Sequence, residues 1–174
     1  GSITLLEHVI TQIAQMNIPS YIITRGTERK NVYSDILKNS KYIQKISIII
    51  ESIDCPMGPL GGITKAVHEL KEIHTKIFLP ADLPNISTSF LNKFRSVIEK
   101  TSADLVGLIH SNGQIEHLIF GTNGNKISSI IETLNCYNIT RVSSIMRLFS
   151  NKQFVQLPKS DVKQVLSDLD HFTD

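Results

Sequence analysis

Apolar positions recur with two different spacings along this chain. In some segments they follow a 3.6-residue period, which is typical of an amphipathic helix, and in others they form short runs rich in Ile, Leu and Val, which are typical of buried strands. The helical spacing predicts helices over residues 4–16, 27–39, 63–73, 87–100, 125–134 and 140–150, and a short one ending near residue 166. The apolar runs predict strands over residues 20–24, 46–50, 76–80, 104–109, 116–120 and 154–157.

Strands that alternate with helices in this order predict right-handed βαβ units. The expected fold is α/β, with a Rossmann-like, doubly wound, mostly parallel sheet in which residues 20–24, 46–50 and 77–79 are adjacent parallel strands. Asn112-Gly113 favours a tight turn and predicts that an antiparallel element joins the sheet late. Residues 3–174 are predicted to form a single domain, with Gly1-Ser2 interpreted as the remnant of a removed tag.

Composition narrows the class of protein. Hydrophobic residues make up 41% and charged residues 20% of the chain, as in an ordinary globular domain. A net charge of +2 is too small to indicate nucleic-acid binding, and no apolar run reaches the roughly 20 residues that a membrane helix needs. Cys55 and Cys136 lie far apart, which fits a reducing compartment rather than a zinc site. We therefore expect a cytoplasmic monomer or homodimer whose partners are small molecules.

Polar residues that follow the predicted strands are the candidate binding groups, because ligands of an open α/β sheet bind beyond the carboxyl ends of its strands. Thr24 and Arg25 follow the first strand, Glu51 the second and Asp82 the third. A glycine-rich turn before a helix lies between the last two. Its free NH groups and the helix dipole favour an anion, and it comprises Gly58, Pro59, Leu60, Gly61 and Gly62.

Each candidate also has a structural interpretation. The glycine-rich turn has neither the Walker spacing nor the GxGxxG pattern, so taken alone it is more often a purely structural turn. Asp82 fits a Mg²⁺ site, since that cation favours one or two carboxylates together with substrate phosphates, but it fits equally well as the cap of the helix that begins near Ser87. His117 is either a substrate contact or a hydrogen-bonded residue at a strand edge.

Two central motifs resemble those of the molybdenum cofactor guanylyltransferases, the MobA family. The sequence Gly58-Pro-Leu-Gly-Gly-Ile63 is followed by one helix and then by Phe78-Leu-Pro-Ala-Asp-Leu-Pro84, in the order that this family shows. Further likeness extends over nearly the whole chain, in residues 5–10, Glu116-His117, Arg141-Val-Ser-Ser-Ile-Met-Arg147 and Asp168-Leu-Asp170.

The resemblance implies a nucleotidyltransferase of the nucleotide-diphospho-sugar transferase type. Such an enzyme would move GMP from GTP to molybdopterin with Mg²⁺ and release pyrophosphate. The resemblance gives Asp82 and Arg141 catalytic roles, and it places the metal at Asp82 and Asp170. It places the substrates against the following residues: Thr24, Arg25, Glu51, the five residues Gly58 to Gly62, His117, Asp168 and Asp170.

The sequence departs from the family at its start. The family's first strand and its L-x-G-G-x-S-x-R-M-G-x-D-K phosphate loop have no counterpart here, and Leu118 stands where the family has Pro. We expect a strand from a longer chain or from a partner to fill the resulting slot, because strands beside it would otherwise expose unpaired backbone groups. Cytidylyl transfer, nucleotidyl transfer onto another phosphate, and non-catalytic nucleotide or pterin binding are the alternative functions. The substitutes for the loop's cations would be Arg25, Arg141, Arg147 or Lys152.

Overall fold

The computed structural model describes residues 4–38, 46–51 and 58–156. These residues form six helices and six strands, and their order agrees with the predicted one. No helix among them is long and apolar enough to cross a membrane. The elements are α1 Leu5–Ala14, β1 Ser20–Arg25, α2 Thr27–Lys38, β2 Ile46–Glu51, α3 Pro59–Glu69, β3 Thr75–Phe78, α4 Thr88–Lys100, β4 Leu105–Ile109, β5 Ile115–Asn123, α5 Lys126–Cys136, α6 Ser143–Leu148 and β6 Lys152–Gln156. The short helix predicted near residue 166 lies outside the described residues.

The described strands form two sheets rather than one. β1 and β2 pair in parallel, and a four-stranded sheet has the order β3-β5-β4-β6. β4 and β6 are parallel, whereas β5 is antiparallel to both β3 and β4. The prediction of an α/β fold with one late antiparallel element is therefore confirmed.

The prediction that the third strand lies beside the first two is wrong for the described residues. β3 pairs with β5, because the chain returns after the Asn112-Gly113 turn and β5 enters the sheet between β3 and β4. β1 and β3 each have a single hydrogen-bonded neighbour among the described strands. β2 and β6 also have a single neighbour, and the further strand expected beside β1 stays a prediction.

Two helices pack against both sheets. On α1, Val9 joins the core beside the four-stranded sheet, whereas Ile10 and Ala14 join the core formed with α2 and β2. On α3, Leu60 packs in the same cluster as Phe120 of β5, and the same helix contacts β1 and β2. Because α1 and α3 each contact both sheets, and do so from opposite faces, they hold the two sheets together.

Local signals define where the helices begin and end. The Thr4 backbone NH donates to Glu7 Oε2 at 2.7 Å, and the Glu7 NH donates to Thr4 Oγ1 at 3.2 Å, so α1 starts with a capping box. Asn17 has a φ of 56°, a left-handed conformation that ends the helical stretch. Both ends of α1 therefore lie within two residues of the predicted bounds, 4 and 16.

Small and polar residues lie at close contacts inside the four-stranded sheet. A Cβ at Gly121 would stand 2.1 Å from Ile98 Cδ1, so glycine permits α4 to approach β5. Lys76 of β3 is buried, its Nζ donates to the Ile73 carbonyl, and burial lowers the pKa of its amine. The sheet interior therefore contains a glycine and a buried amine as well as apolar side chains.

Candidate active site

The carboxyl ends of β1 and β2 bring a cation and a carboxylate together. The parallel register pairs Thr24 with Ile50 and Arg25 with Glu51. Thr24 is buried, while Arg25 and Glu51 are half-buried at the last position of each strand. Side chains of opposite charge therefore stand on neighbouring strands at the edge where ligands approach an α/β sheet.

The glycine-rich turn forms the first turn of α3. Gly58 is the N-cap with a φ of 79°, Pro59 occupies the first helical position, and the Gly61 NH donates to the Gly58 carbonyl at 3.1 Å. The predicted start at Ile63 was thus four residues too late. Proline has the φ that a first helical residue needs. The two glycines disfavour a helix, but Leu60 is fully buried, so tertiary packing stabilises this first turn.

Glu51 lies directly against this first turn. A Cβ at Gly62 would stand 3.2 Å from Glu51 Oε1 and 3.6 Å from Ile23 Cγ2. Glycine at this position lets the end of β2 and the start of α3 approach each other. The positive end of the helix dipole favours a carboxylate there, so the site places an acidic oxygen against the start of a helix.

Asp82 lies in the segment between β3 and α4. It is exposed, whereas the next residue, Leu83, and Ile86 are buried and hold the segment in place. The capping alternative is wrong, because the N-cap of α4 is Ser87, whose Oγ accepts from the Phe90 NH at 3.2 Å. Within the described ranges no hydrogen bond or ion pair engages the Asp82 carboxylate.

The described residues contain no group of three or more His, Cys, Asp or Glu side chains that could hold a metal ion. Asp168 and Asp170, the other predicted acidic site residues, lie outside the described residues, as does Cys55. An unengaged carboxylate such as that of Asp82 suits Mg²⁺, which favours one or two carboxylates together with substrate phosphates.

The remaining predicted site residues stand on other elements. His117 is exposed on β5, and Arg141 is exposed just before α6, where its carbonyl accepts from the Ser144 NH at 3.0 Å. The structure therefore groups Arg25, Glu51 and the α3 turn, and it places His117 and Arg141 beyond that group. A cavity of about 320 Å³ between β5, α6 and β6 is lined in part by Ile115, Met146 and Phe154. No sequence pattern marks these three residues, because apolar residues of predicted strands and helices carry no binding signal.

Comparison with known proteins identifies the class. The sequence model of the MobA-like NTP transferase domain matches residues 1–153. The chain belongs to this family. A search of curated proteins finds no match. The resemblance inferred from the central motifs is thus confirmed, and the MobA-like NTP transferase family places the chain among the nucleotidyltransferases.

Solved structures of similar fold agree with this assignment. Molybdopterin-guanine dinucleotide biosynthesis protein A from Archaeoglobus fulgidus superposes with a TM-score of 0.68 at 14% identity, over 92% of this chain and 72% of that one. The 4-diphosphocytidyl-2C-methyl-D-erythritol synthase from Anaerococcus prevotii superposes with a TM-score of 0.70 at 12% identity, over 92% and 79%. At these identities the likeness establishes the fold, which is the nucleotide-diphospho-sugar transferase type.

Proposed function

We propose that this MobA-like NTP transferase moves GMP from GTP to molybdopterin and releases pyrophosphate, with Mg²⁺ as cofactor. The observation that supports this most directly is the group of Arg25, Glu51 and Gly62 at the start of α3. It places a carboxylate beside the start of a helix, whose backbone amides and dipole suit a nucleotide, and a cation on the neighbouring strand. The name of the Archaeoglobus protein supports molybdopterin as the acceptor and guanine as the base.

The proposed nucleotide contacts follow from this geometry. The Glu51 carboxylate would accept hydrogen bonds from the ribose hydroxyls, as acidic residues do after strands of dinucleotide-binding folds. Gly58, Gly61 and Gly62 let the ligand approach the backbone closely, because no side chain blocks it. Arg25 would provide charged donors for a phosphate. Together these residues hold the nucleotide so that its α-phosphorus faces the acceptor.

Asp82 is the residue that we propose to hold Mg²⁺, with Asp170 as the second carboxylate. When bound, the ion would neutralise the charge that develops on the phosphate oxygens during in-line displacement. The exposed Asp82 carboxylate suits this role, since buried Leu83 and Ile86 fix its backbone while no described residue engages its oxygens. Arg141 would neutralise further charge on a transferring or accepting phosphate.

Thermal stability with each nucleotide tests the proposal. GTP, CTP and ATP are added separately, with and without Mg²⁺, and GTP with Mg²⁺ should raise the Tm most. A ligand at a hundred times its Kd stabilises the native state by about 2.7 kcal/mol, which for a domain of this size corresponds to roughly 5–11 °C. Preference for CTP would redirect the proposal to cytidylyl transfer. GTP binding without pyrophosphate release on addition of molybdopterin would favour the binding protein, and no response to any nucleotide would refute the proposal.

The metal role is tested with Asp82→Asn. We expect this variant to lose the Mg²⁺-dependent part of the GTP-induced Tm shift and to keep its ligand-free Tm, because Asp82 is exposed and unengaged. Glu132→Gln, which changes an exposed carboxylate on α5, is the matched control and should behave like the unmodified protein. A full Mg²⁺-dependent shift in Asp82→Asn would rule out Asp82 as a ligand.

A further inference from the structure

Two side chains of α1 hold the chain segment that carries Asp82. His8 Nε2 lies 3.1 Å from the Ile86 carbonyl oxygen, and because a carbonyl oxygen can only accept, the ring nitrogen is the donor. One turn later on the same face of α1, Gln12 Oε1 accepts from the Thr88 NH at 3.0 Å. The paired residues are 78 and 76 positions apart in the chain, so α1 fixes this segment through tertiary contacts.

Apolar packing supports the same contact. Val9 of α1 belongs to the cluster that contains Leu83 and Ile86, and all three side chains are buried. Leu83 follows Asp82 directly, and Ile86 is the residue whose carbonyl receives the bond from His8. Asp82 is exposed, and among the described residues nothing engages its carboxylate. Its buried neighbours and their contacts with α1 therefore determine where that carboxylate lies.

The other side of α1 belongs to the second half of the proposed site. Ile10 and Ala14 lie roughly opposite His8 on the helix, and they pack in the core beside β1 and β2. These two strands end in Arg25 and Glu51. The helix thus connects the segment held by His8 with the strands of the proposed nucleotide site.

The placement of a ligand carboxylate matters for Mg²⁺ in particular. This ion requires a nearly ideal octahedral arrangement of oxygens, so a displaced carboxylate holds it less tightly. Outer groups that orient a metal ligand are typically worth about 10–100-fold in metal affinity. A contact that fixes the backbone of a ligand therefore contributes to metal binding although it never touches the metal.

We propose that His8 is a positioning residue for Mg²⁺ binding. Its bond to Ile86 fixes the backbone that carries Asp82, and Gln12 supports that bond from the next turn of α1. This inference rests on the proposed role of Asp82 as a metal ligand. His8 acts on the ion only through Asp82, so its loss weakens Mg²⁺ binding and leaves the binding of GTP without Mg²⁺ unchanged.

The Mg²⁺ concentration that gives half of the Mg²⁺-dependent Tm shift with GTP tests this role. His8→Ala should raise that concentration at least about tenfold, with every shift measured from the variant's own ligand-free Tm. The shift with GTP alone should not change. His8→Gln should restore the unmodified Mg²⁺ requirement, because its amide nitrogen lies the same number of bonds from Cα as the ring Nε2 and can donate to the same carbonyl. Glutamine does not reproduce the ring, so a role in packing alone would not be restored.

Hydrogen exchange of the ligand-free protein tests the holding contact itself. In His8→Ala the amides of residues 79–87 should exchange about fivefold faster, the factor that corresponds to the net loss of one hydrogen bond. In His8→Gln they should exchange at the unmodified rate. Unchanged exchange in His8→Ala would overturn the inference without involving any nucleotide.

Asn123→Ala is the matched control. Asn123 Nδ2 donates to the Ile98 carbonyl at 2.6 Å, which is a bond of the same kind, but Asn123 pairs with Thr75 at the end of β3 remote from Asp82. This variant should lower the ligand-free Tm and leave the Mg²⁺ requirement unchanged. An equal rise in the control would overturn the inference, because lost stability alone would then account for the effect.

The outcomes separate this inference from the proposed function. An unchanged Mg²⁺ requirement in His8→Ala, with a Mg²⁺-dependent shift present in the unmodified protein, would overturn the role of His8 and leave that of Asp82 intact. A rise that His8→Gln does not reverse would also overturn it. No Mg²⁺-dependent shift in the unmodified protein would refute the proposed metal site and this inference with it. If His8→Ala does not fold, Gln12→Ala takes its place, and an unchanged requirement there would overturn the inference.

Discussion

Gly121→Ala should destabilise the protein through one contact, that between β5 and α4. The added Cβ would stand 2.1 Å from Cδ1, 2.7 Å from Cγ1 and 3.5 Å from Cγ2 of Ile98. Rotation about χ2 moves Cδ1 but not Cγ1, and χ1 of a β-branched residue is stiff. Ile98 is fully buried, and a packed core holds few voids for a side chain to move into. Relief of the clash requires α4 and β5 to move apart.

The magnitude follows from two opposed terms. Overpacking of a well-packed core costs about 1–3 kcal/mol, and the loss of glycine's freedom in the unfolded chain returns about 0.4–1 kcal/mol. We expect a net loss of about 1–2 kcal/mol in the free energy of unfolding, or roughly 2–8 °C in Tm. Urea unfolding followed by far-ultraviolet circular dichroism measures it, since the chain has no Trp to report by fluorescence.

A double-mutant cycle isolates the contact. Ile98→Ala removes both clashing atoms, Cδ1 and Cγ1, and should by itself cost about 2–5 kcal/mol. In that background Gly121→Ala should be neutral or stabilising, because its methyl group enters the space that Ile98 vacated. Gly113→Ala is the control: its φ of 86° is strained but nothing lies within 4 Å, so its cost should be the same in both backgrounds. An equal cost of Gly121→Ala with and without Ile98 would refute the reasoning.

Two further predictions concern the buried amine and the site. The lowered pKa of Lys76 means that folding disfavours its charged form, and this destabilisation is present at neutral pH and lost as pH rises towards the unfolded value of about 10.4. Lys76→Met should therefore have a higher free energy of unfolding than the unmodified protein in urea at pH 7, and the difference should narrow at pH 10. A difference that stays constant between the two pH values would contradict this. Gly62→Ala should keep or raise the ligand-free Tm, because alanine favours helix, yet reduce the GTP-induced shift by displacing the Glu51 carboxylate; an unchanged shift would exclude that contact from the nucleotide site.

Features encoded by neighbouring residues could be predicted from the sequence. The cap of α1 depends on Thr4 and Glu7, which are three residues apart, and its end depends on the left-handed Asn17 alone. The β-branched run of β2 likewise predicts its strand within one residue. In each case the residues that determine the feature are close neighbours in the sequence.

Features that depend on distant contacts could not be predicted. Pro59 followed by leucine and two glycines has a poor helical composition, and burial of Leu60 in the core shapes it into α3. The pairing of β3 with β5 likewise joins segments separated by α4 and β4. Propensity and periodicity describe each segment alone, so they do not indicate which edges meet.

The same distinction between local features and distant contacts applies to the candidate site. Its members Thr24, Arg25, Glu51 and the α3 turn were predicted from their places after strands. The close approach of Glu51 to Gly62 came only from the structure. The cavity gave no signal, because the Gly107–Phe154 contact that shapes it joins two otherwise ordinary strand residues.

The separation of β1 and β2 from the four-stranded sheet has a consequence for how the protein opens. A two-stranded sheet has little stability of its own, so without a further strand beside β1 the pair depends on its packing against α1, α2 and α3. We expect β1, β2 and the helices packed on them to form a separate cooperative unit. Its amide hydrogens should exchange with solvent through partial opening, whereas those of β4 and β5 should exchange only through global unfolding. Arg25 and Glu51 belong to that weaker unit. A nucleotide bound there would slow amide hydrogen exchange in β1 and β2. The exchange rate of these backbone amides would therefore measure the fraction of the protein that has nucleotide bound.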